Sequence, residues 1–433
     1  MKLTLEYTNI KDIQFGDKTK IDKGVLTVNT QELKDRILKD PFIKDVRFDI
    51  ARPGESVRII NIVDMIEPRA KLEGNDWAGV LSDFSVTPGE GTTRCLKGMS
   101  IIIQDTNHFW KGARIGNLDM IGPAAELTDY SQLCHLTIHC IKADNSAIDQ
   151  WDFAASIRKA CYGAGVYLAK AAFDLKPDDS EVLDNETLTP GLPNIGYYQQ
   201  VYAAQYQYEN VPEPIFYGFP IPDSFPLVIQ PSEVMDGAVA WGHGYHMAET
   251  YAQQNHAIIM GLFRRHGKEL NFAGYMLGTT NTDDHRRGLA AMMIANTMKD
   301  VFHCDGVLMT KTFGGASHVD EGMAASECEK RGIAAVPMIQ ALNQNTNLSH
   351  EMLFDDTNLK TIVQSGMYFQ EVVAPPMDRI IGAKDGGDGK KALFIASQTY
   401  DKQYAGETVR NSAFNLVGWL CQTGNAHAQG MDF

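Results

Sequence analysis

Gly306-Val-Leu-Met-Thr310, residues 321–331 and Ile333-Ala-Ala-Val-Pro-Met-Ile339 read in succession as strand, helix and strand. The two apolar runs have the length of strands, and the stretch between them is long enough for a helix. Repeated along a chain, such a unit builds a parallel sheet with helices on its faces. The alternation extends upstream. Ile195-Gly-Tyr-Tyr-Gln-Gln-Val201, Pro226-Leu-Val-Ile229 and Phe272-Ala-Gly-Tyr-Met-Leu277 have strand character, while residues 245–266 and 284–302 have helix character. Residues 194–433 are therefore expected to form a doubly wound, mostly parallel α/β domain.

The first half reads differently. Leu3-Thr-Leu-Glu-Tyr7 and Gly24-Val-Leu-Thr-Val-Asn29 alternate apolar with polar, the pattern of half-buried strands. Val46-Arg-Phe-Asp-Ile-Ala51, Val57-Arg-Ile-Ile-Asn-Ile-Val63, Ser100-Ile-Ile-Ile-Gln104 and Leu136-Thr-Ile-His-Cys-Ile141 add further strands. Arg52-Pro-Gly-Glu55 reads as a turn. Residues 31–39 form a short helix with Thr30 as N-cap, and residues 149–173 a long one. Residues 1–175 are thus expected to be a β-rich N-terminal domain. Residues 176–193 are acidic and broken by proline and glycine, the composition of a linker.

Composition narrows the function. A net charge of −15 opposes the counterion displacement on which non-specific nucleic-acid binding depends, and it opposes anionic membranes. No stretch has the apolar length of a membrane span or a signal peptide. The seven cysteines are odd in number and never spaced Cys-x-x-Cys, which predicts reduced thiols and a cytoplasmic protein. No Gly-x-Gly-x-x-Gly or Gly-Lys-Ser/Thr motif signals a nucleotide cofactor, and Gly382-Ala-Lys-Asp-Gly-Gly-Asp-Gly389 reads as a surface loop.

In an open α/β sheet the ligand crevice lies beyond the carboxyl ends of the strands. The turn Trp241-Gly242-His243-Gly244-Tyr245-His246 occupies such a place, between an apolar run and a helix, and is expected to floor the site. Gly242, Gly244 and Tyr245 would then line a pocket, with His108 of Asn107-His-Phe-Trp110 as a first-half contributor. Asp284, in Asp283-Asp-His-Arg-Arg287, is read as a helix cap or a crevice rim. His135 and His139 fall on one face of a strand, and His139 and Cys140 read as structural. Cys304 reads as a buried, inert thiol.

Several runs carry a resemblance. They are Phe15-Gly-Asp-Lys-Thr19, Ala51-Arg-Pro-Gly-Glu-Ser-Val-Arg-Ile-Ile60, Ile66-Glu-Pro-Arg69, Gly122-Pro-Ala-Ala-Glu126, Glu233-Val-Met-Asp-Gly-Ala238, Arg265-His-Gly-Lys-Glu-Leu-Asn-Phe272 and Pro375-Pro-Met-Asp378. Together they resemble the component B proprotein of the glycine, sarcosine, betaine and D-proline reductases. The resemblance implies a subunit that cuts itself before a cysteine, which becomes a pyruvoyl group that binds the substrate amine. It also implies a partner subunit whose selenocysteine or cysteine splits the C–N bond. Gly242-His243-Gly244 stands where that family has Gly-Asn-Cys. A pyruvoyl group arises when a Ser, Thr or Cys side chain attacks the preceding carbonyl, and Gly244 has no side chain. Thr250, the nearest hydroxyl, is expected inside a helix. The chain is therefore expected to stay uncut and to carry no pyruvoyl group.

Histidines take the cysteine's place. His243 and His246 are three apart, Glu249 follows three further on, and His318 with Asp320 lies in the loop expected after Thr310. Two histidines and a carboxylate suit iron or zinc. One reading is a metal site of His243, His246 and His318, with Glu249 or Asp320 as carboxylate and Asp236 orienting the turn. Another is an amphipathic helix whose face of His246, Glu249, Gln253 and His256 is solvated. A third uses the histidines as acid and base without metal. The expected function is an oxidoreductase subunit acting on a small amine- or amino-acid-like substrate, in a hetero-oligomer with a subunit resembling the family's selenoprotein or cysteine partner. The alternative is a catalytically silent binding or scaffold subunit.

Overall fold

The computed structural model describes residues 1–74, 76–77, 81, 87–105, 116–144, 148, 150–201, 215–221, 224–241, 249–280, 283–311, 316–341, 356–367, 371–382, 409–412 and 416–419. The chain is mixed α/β with several sheets. Its first part contains β1 (Lys2–Asn9), α1 (Thr30–Ile37), β2 (Ile43–Ala51), β3 (Val57–Ile66), β4 (Arg69–Lys71), β5 (Gly91–Lys97), β6 (Met99–Asp105), β7 (Gly116–Asp119), β8 (Cys134–Lys142), α2 (Gln150–Lys170) and β9 (Asp179–Asp184). They form two sheets, in the spatial orders β9-β1-β5-β4 and β7-β3-β6-β8-β2. Helix α2 packs Phe153, Ile157, Cys161 and Leu168 against Ile66, Ile101, Ile103 and Ile138. Fully burying each such side chain contributes about 1.5–3 kcal/mol.

Next come β10 (Asn194–Val201), β11 (Leu227–Val228), α3 (Pro231–Met235), α4 (Thr250–Gln254), α5 (Ala257–Arg265), β12 (Asn271–Thr279), α6 (Asp284–Asn296), β13 (Gly306–Thr310), α7 (Ala316–Lys330), β14 (Ala334–Ala341) and β15 (Val363–Met367). The strands form one sheet in the order β11-β12-β10-β13-β14-β15. Only β11 runs antiparallel to its neighbour. Alternate side chains of a strand point to opposite faces. Accordingly Tyr197, Tyr275 and Leu277 pack with Ile259 and Leu262 of α5, whereas Tyr198 and Met276 pack with Ile294 of α6 and Ala324 of α7. After β10 the chain places β12 on one side of it and then β13 on the other. The order reverses there, and in open α/β sheets such a switch point, beyond the carboxyl ends of the strands, is where a ligand crevice is expected.

Local expectations fare unevenly. Asn29, not Thr30, caps α1, its side chain accepting from Gln31 N and Glu32 N. The helix expected over 245–266 is broken at Asn255, with φ −115° and ψ 41°, and His256 caps α5. Side chains that bond nearby backbone favour such ends over helix interiors. The face read as solvated is therefore not one helical face, and Glu249, Gln253 and His256 are all buried. Helix α7 starts at Ala316, so His318 and Asp320 lie in its first turns rather than in a loop. It is buried on most sides, which erases the amphipathic signal. The strand expected at 226–229 shrinks to the antiparallel edge strand β11, beside Pro226. Within the acidic stretch 176–193, β9 pairs with β1. Far along the chain, β16 (Arg379–Ile381) returns to pair with β3.

Candidate functional site

The turn at 242–248 lies outside the described residues, and with it Gly242, His243, Gly244, Tyr245 and His246; so does His108. Its two flanks are described, and the first part of the chain holds both. Thr250, the first residue of α4, is the clasp. Its hydroxyl accepts from Trp241 N at 2.9 Å, and lies 2.9 Å from Trp241 O and 2.8 Å from Asp64 Oδ2. Its amide donates to Asp64 Oδ1 at 3.0 Å. Asp64 also accepts from Tyr162 OH at 2.7 Å, Arg158 Nε at 3.2 Å and Met65 N at 2.7 Å. Burial pushes this carboxyl up, while Arg158, Thr250 and Tyr162 pull it back. Such a set of donors offsets the desolvation of a buried carboxylate.

A second anchor lies one segment upstream. Glu67 N donates to Gln254 Oε1 at 2.8 Å, and Gln254 Nε2 returns a bond to Glu67 O at 3.1 Å. Arg69 pairs with Glu67 and donates to Met235 O at 2.5 Å, gripping the end of α3. Asp236 follows, paired with Lys71 at 2.6 Å and accepting from Gly89 N and Thr93 Oγ1 at 2.7 and 2.6 Å. Its geometry is that of a positioning residue before the turn. Gly237 has φ +95°, and a Cβ there would stand 2.5 Å from Trp77 Nε1. Only glycine fits that approach.

The crevice at the switch point gathers a separate buried group. Asp320 pairs with Arg287 and accepts from Gln200 Nε2 at 2.9 Å. Arg287 also donates to Asp284 Oδ1 at 2.5 Å; the Asp284 side chain is 94% exposed, on the outer rim. His318 is fully buried one turn into α7. Lys311, directly after β13, and Glu321 of α7 are fully buried as well. Burial drives the Lys311 ammonium down to about 8, against the pull of Glu321. It drives the Glu321 carboxyl up to about 8, against Lys311 and the nearby Met338 main chain. Neither Glu321 oxygen reaches a hydrogen-bond partner.

A polar chain links the two groups. Gln199 Nε2 of β10 donates to Gln253 Oε1 of α4 at 3.1 Å. Tyr197 OH lies 3.2 Å from His256 Nε2 and 2.6 Å from Thr310 Oγ1, the residue before Lys311. Burial depresses His256 to about 3, so it stays neutral. His135, between Ser100 Oγ at 2.8 Å and Tyr130 O at 2.9 Å, is likewise neutral, pushed by burial to about 4. Its two partners and its burial give it a structural role. Cys304 is buried and its thiol raised to about 12, too high for a nucleophile.

Of the expected site residues, the structure places His318 and Asp320 in the first turns of α7, sets Asp236 and Glu249 on the flanks of the 242–248 segment, and leaves Asp284 exposed. Among the described residues no three His, Cys, Asp or Glu side chains are grouped to hold a metal ion. Sequence reading missed Asp64, Lys311 and Glu321. A charged residue inside the apolar run 57–66 was the available signal for Asp64, and a lysine directly after a buried strand was the signal for Lys311.

With the geometry in hand, likeness to other proteins becomes informative. The family described as glycine/sarcosine/betaine reductase component B subunits matches residues 1–406. The glycine reductase complex component B subunits alpha and beta of Acetoanaerobium sticklandii are 34% identical over 88% of this chain and 89% of that protein. The sarcosine reductase complex component B subunit alpha of Peptoclostridium acidaminophilum is 29% identical over 89% of this chain and 90% of its own. The betaine reductase complex component B subunit alpha of the same organism is 28% identical over 98% and 99%. No solved structure matches. No helix among the described residues is long and apolar enough to cross a membrane.

Proposed function

The chain belongs to the glycine/sarcosine/betaine reductase component B family, and from that premise we propose that it is a substrate-binding subunit of a reductase complex. Its substrate is a small amine or amino acid of the glycine, sarcosine or betaine kind, named for its relatives. A second subunit bearing a reactive cysteine or selenocysteine completes the reaction. The observation that carries this reading is the clasp: Asp64, through Thr250, holds both ends of the turn in one buried network, as a fixed reactive turn requires.

The family's pyruvoyl group does not fit the residues present. Nothing from Trp241 to Glu249 is Ser, Thr or Cys. The Thr250 hydroxyl is engaged with Asp64, Tyr162 and the Trp241 backbone. This subunit therefore works without that group. In its place we propose that His243, His246 and His318, with Glu249 as carboxylate, hold an iron or zinc ion that supplies a Lewis acid beside the substrate. Asp320 is already committed to Arg287 and Gln200 and serves to position α7.

Intact-mass spectrometry and elemental analysis test this together. One uncleaved chain with about one metal ion, lost in His243→Ala, is the expected result. Two fragments would overturn the pyruvoyl-free reading. An uncleaved, metal-free chain that still supports turnover with its partner would replace the metal by hydrogen-bonding side chains. Absence of any effect on the partner's activity would return the silent-subunit reading.

A further inference from the structure

Among the described residues, Glu321 is the carboxylate with both oxygens buried and without a hydrogen-bond partner. Lys311 is buried near it, at the carboxyl end of β13. A buried carboxyl left without close hydrogen bonds is disfavoured in either protonation state. The neighbouring polar side chains are at least partly satisfied. Asp320, one residue away, has a guanidinium and an amide, and Tyr197, Gln199 and Gln200 have partners. The unsatisfied carboxylate and the ammonium stand at the strand-order reversal, where open α/β sheets bind their ligands.

We propose that Lys311 and Glu321 form a zwitterion-binding pair, Lys311 receiving a ligand's carboxylate and Glu321 its ammonium. The inference rests on the reductase reading above and deepens it by assigning the two ends of the substrate to residues of this chain. A free α-amino acid carries the two complementary charges, separated by one carbon. Seated between Lys311 and Glu321, it gives the carboxylate oxygens the N–H donors they lack and Lys311 a second anionic neighbour. Simple amines or acids satisfy only half of the pair. The chemistry selects ligands bearing both charges, and it favours glycine and sarcosine, which have N–H groups, over betaine, which has none.

Calorimetric titration of the full chain with glycine, betaine, acetate and methylamine tests the pair. Glu321→Gln should weaken glycine by about tenfold or more while sparing acetate, and Lys311→Met should weaken glycine and acetate while sparing methylamine. Glu321→Asp, which keeps the charge and shortens the reach, should fall between wild type and Glu321→Gln. Thermal melts accompany each titration: Glu321→Gln should melt no lower than wild type, because it replaces a buried carboxyl that makes no close hydrogen bond with a neutral amide of the same shape. Glycine binding unchanged in both Glu321→Gln and Lys311→Met overturns the pair and leaves the reductase reading standing. Wild-type protein that binds neither zwitterion overturns that reading and the pair with it. A melt lowered by Glu321→Gln, with glycine binding intact, makes Glu321 purely structural.

Discussion

Asp64 and Glu321 are both buried carboxylates beside a basic residue, and they are built in opposite ways. Asp64 collects Met65 N, Thr250 N, Thr250 Oγ1, Tyr162 OH and Arg158 Nε. Glu321 has no such shell: neither oxygen makes a close hydrogen bond, and Lys311 and the Met338 main chain stand near it. Interiors punish an unpaired charge far more than they reward a paired one. A complete donor set therefore marks a carboxylate that holds the fold, and an empty one marks a carboxylate kept for something that arrives later. The clasp at Thr250 belongs to the first kind and the crevice pair to the second.

The sharpest way to break this contrast is Asp64→Ala. It strands Arg158 and Tyr162 and frees both flanks of the turn, so urea denaturation should show a loss of about 3–5 kcal/mol. A loss below about 1 kcal/mol would mean that the network is loose. Acid comes next. Folded His135 and His256 protonate only near pH 4 and pH 3, whereas unfolded they do so near 6.5. Their contribution is complete above pH 6.5 and drains as pH falls towards the folded values, by about 1.4 kcal/mol per pH unit for each histidine. Stability measured from pH 7 to pH 5 should follow that slope, and a His256→Asn chain should show about half of it. Thr250→Val removes one clasp hydroxyl and should cost about 1–3 kcal/mol, with faster proteolysis between Trp241 and Glu249 as the local readout. Smallest is Glu321→Gln, which should change stability by about 1 kcal/mol or less, towards the stabilising side. A clear loss there would erase the distinction between the two carboxylates.

Much of the fold was open to reading. Strands β10, β12, β13 and β14 announced themselves as apolar runs, because a strand buried on both faces leaves little room for polar residues. Helix α7 hid its first turns, since burial on most sides removed the polar stripe that marks a helix. Asn255 and His256 broke a helix that periodicity carried straight through, their side chains preferring local caps. The site was harder. The turn expected after Trp241 lies outside the described residues, and His318 and Asp320, expected in a loop, lie in helix α7. Thr250 was noticed only to be set aside as a helix residue, and its role as a clasp rests on partners elsewhere in the chain.

Local spacing and residue type were enough to specify the α/β class and the strands of the parallel sheet. Those properties depend on neighbours within a few positions, which a sequence displays directly. Pairings across distance were settled only by folding. Asp64 meets Thr250 across 186 positions, Arg58 reaches Pro375 across 317, and β16 completes a sheet begun at β3. Lys311 and Glu321 are only ten positions apart, yet their burial depends on the strands and helices packed around them. Whether a charge is satisfied is a property of everything within hydrogen-bond reach, and that company is assembled by the tertiary structure.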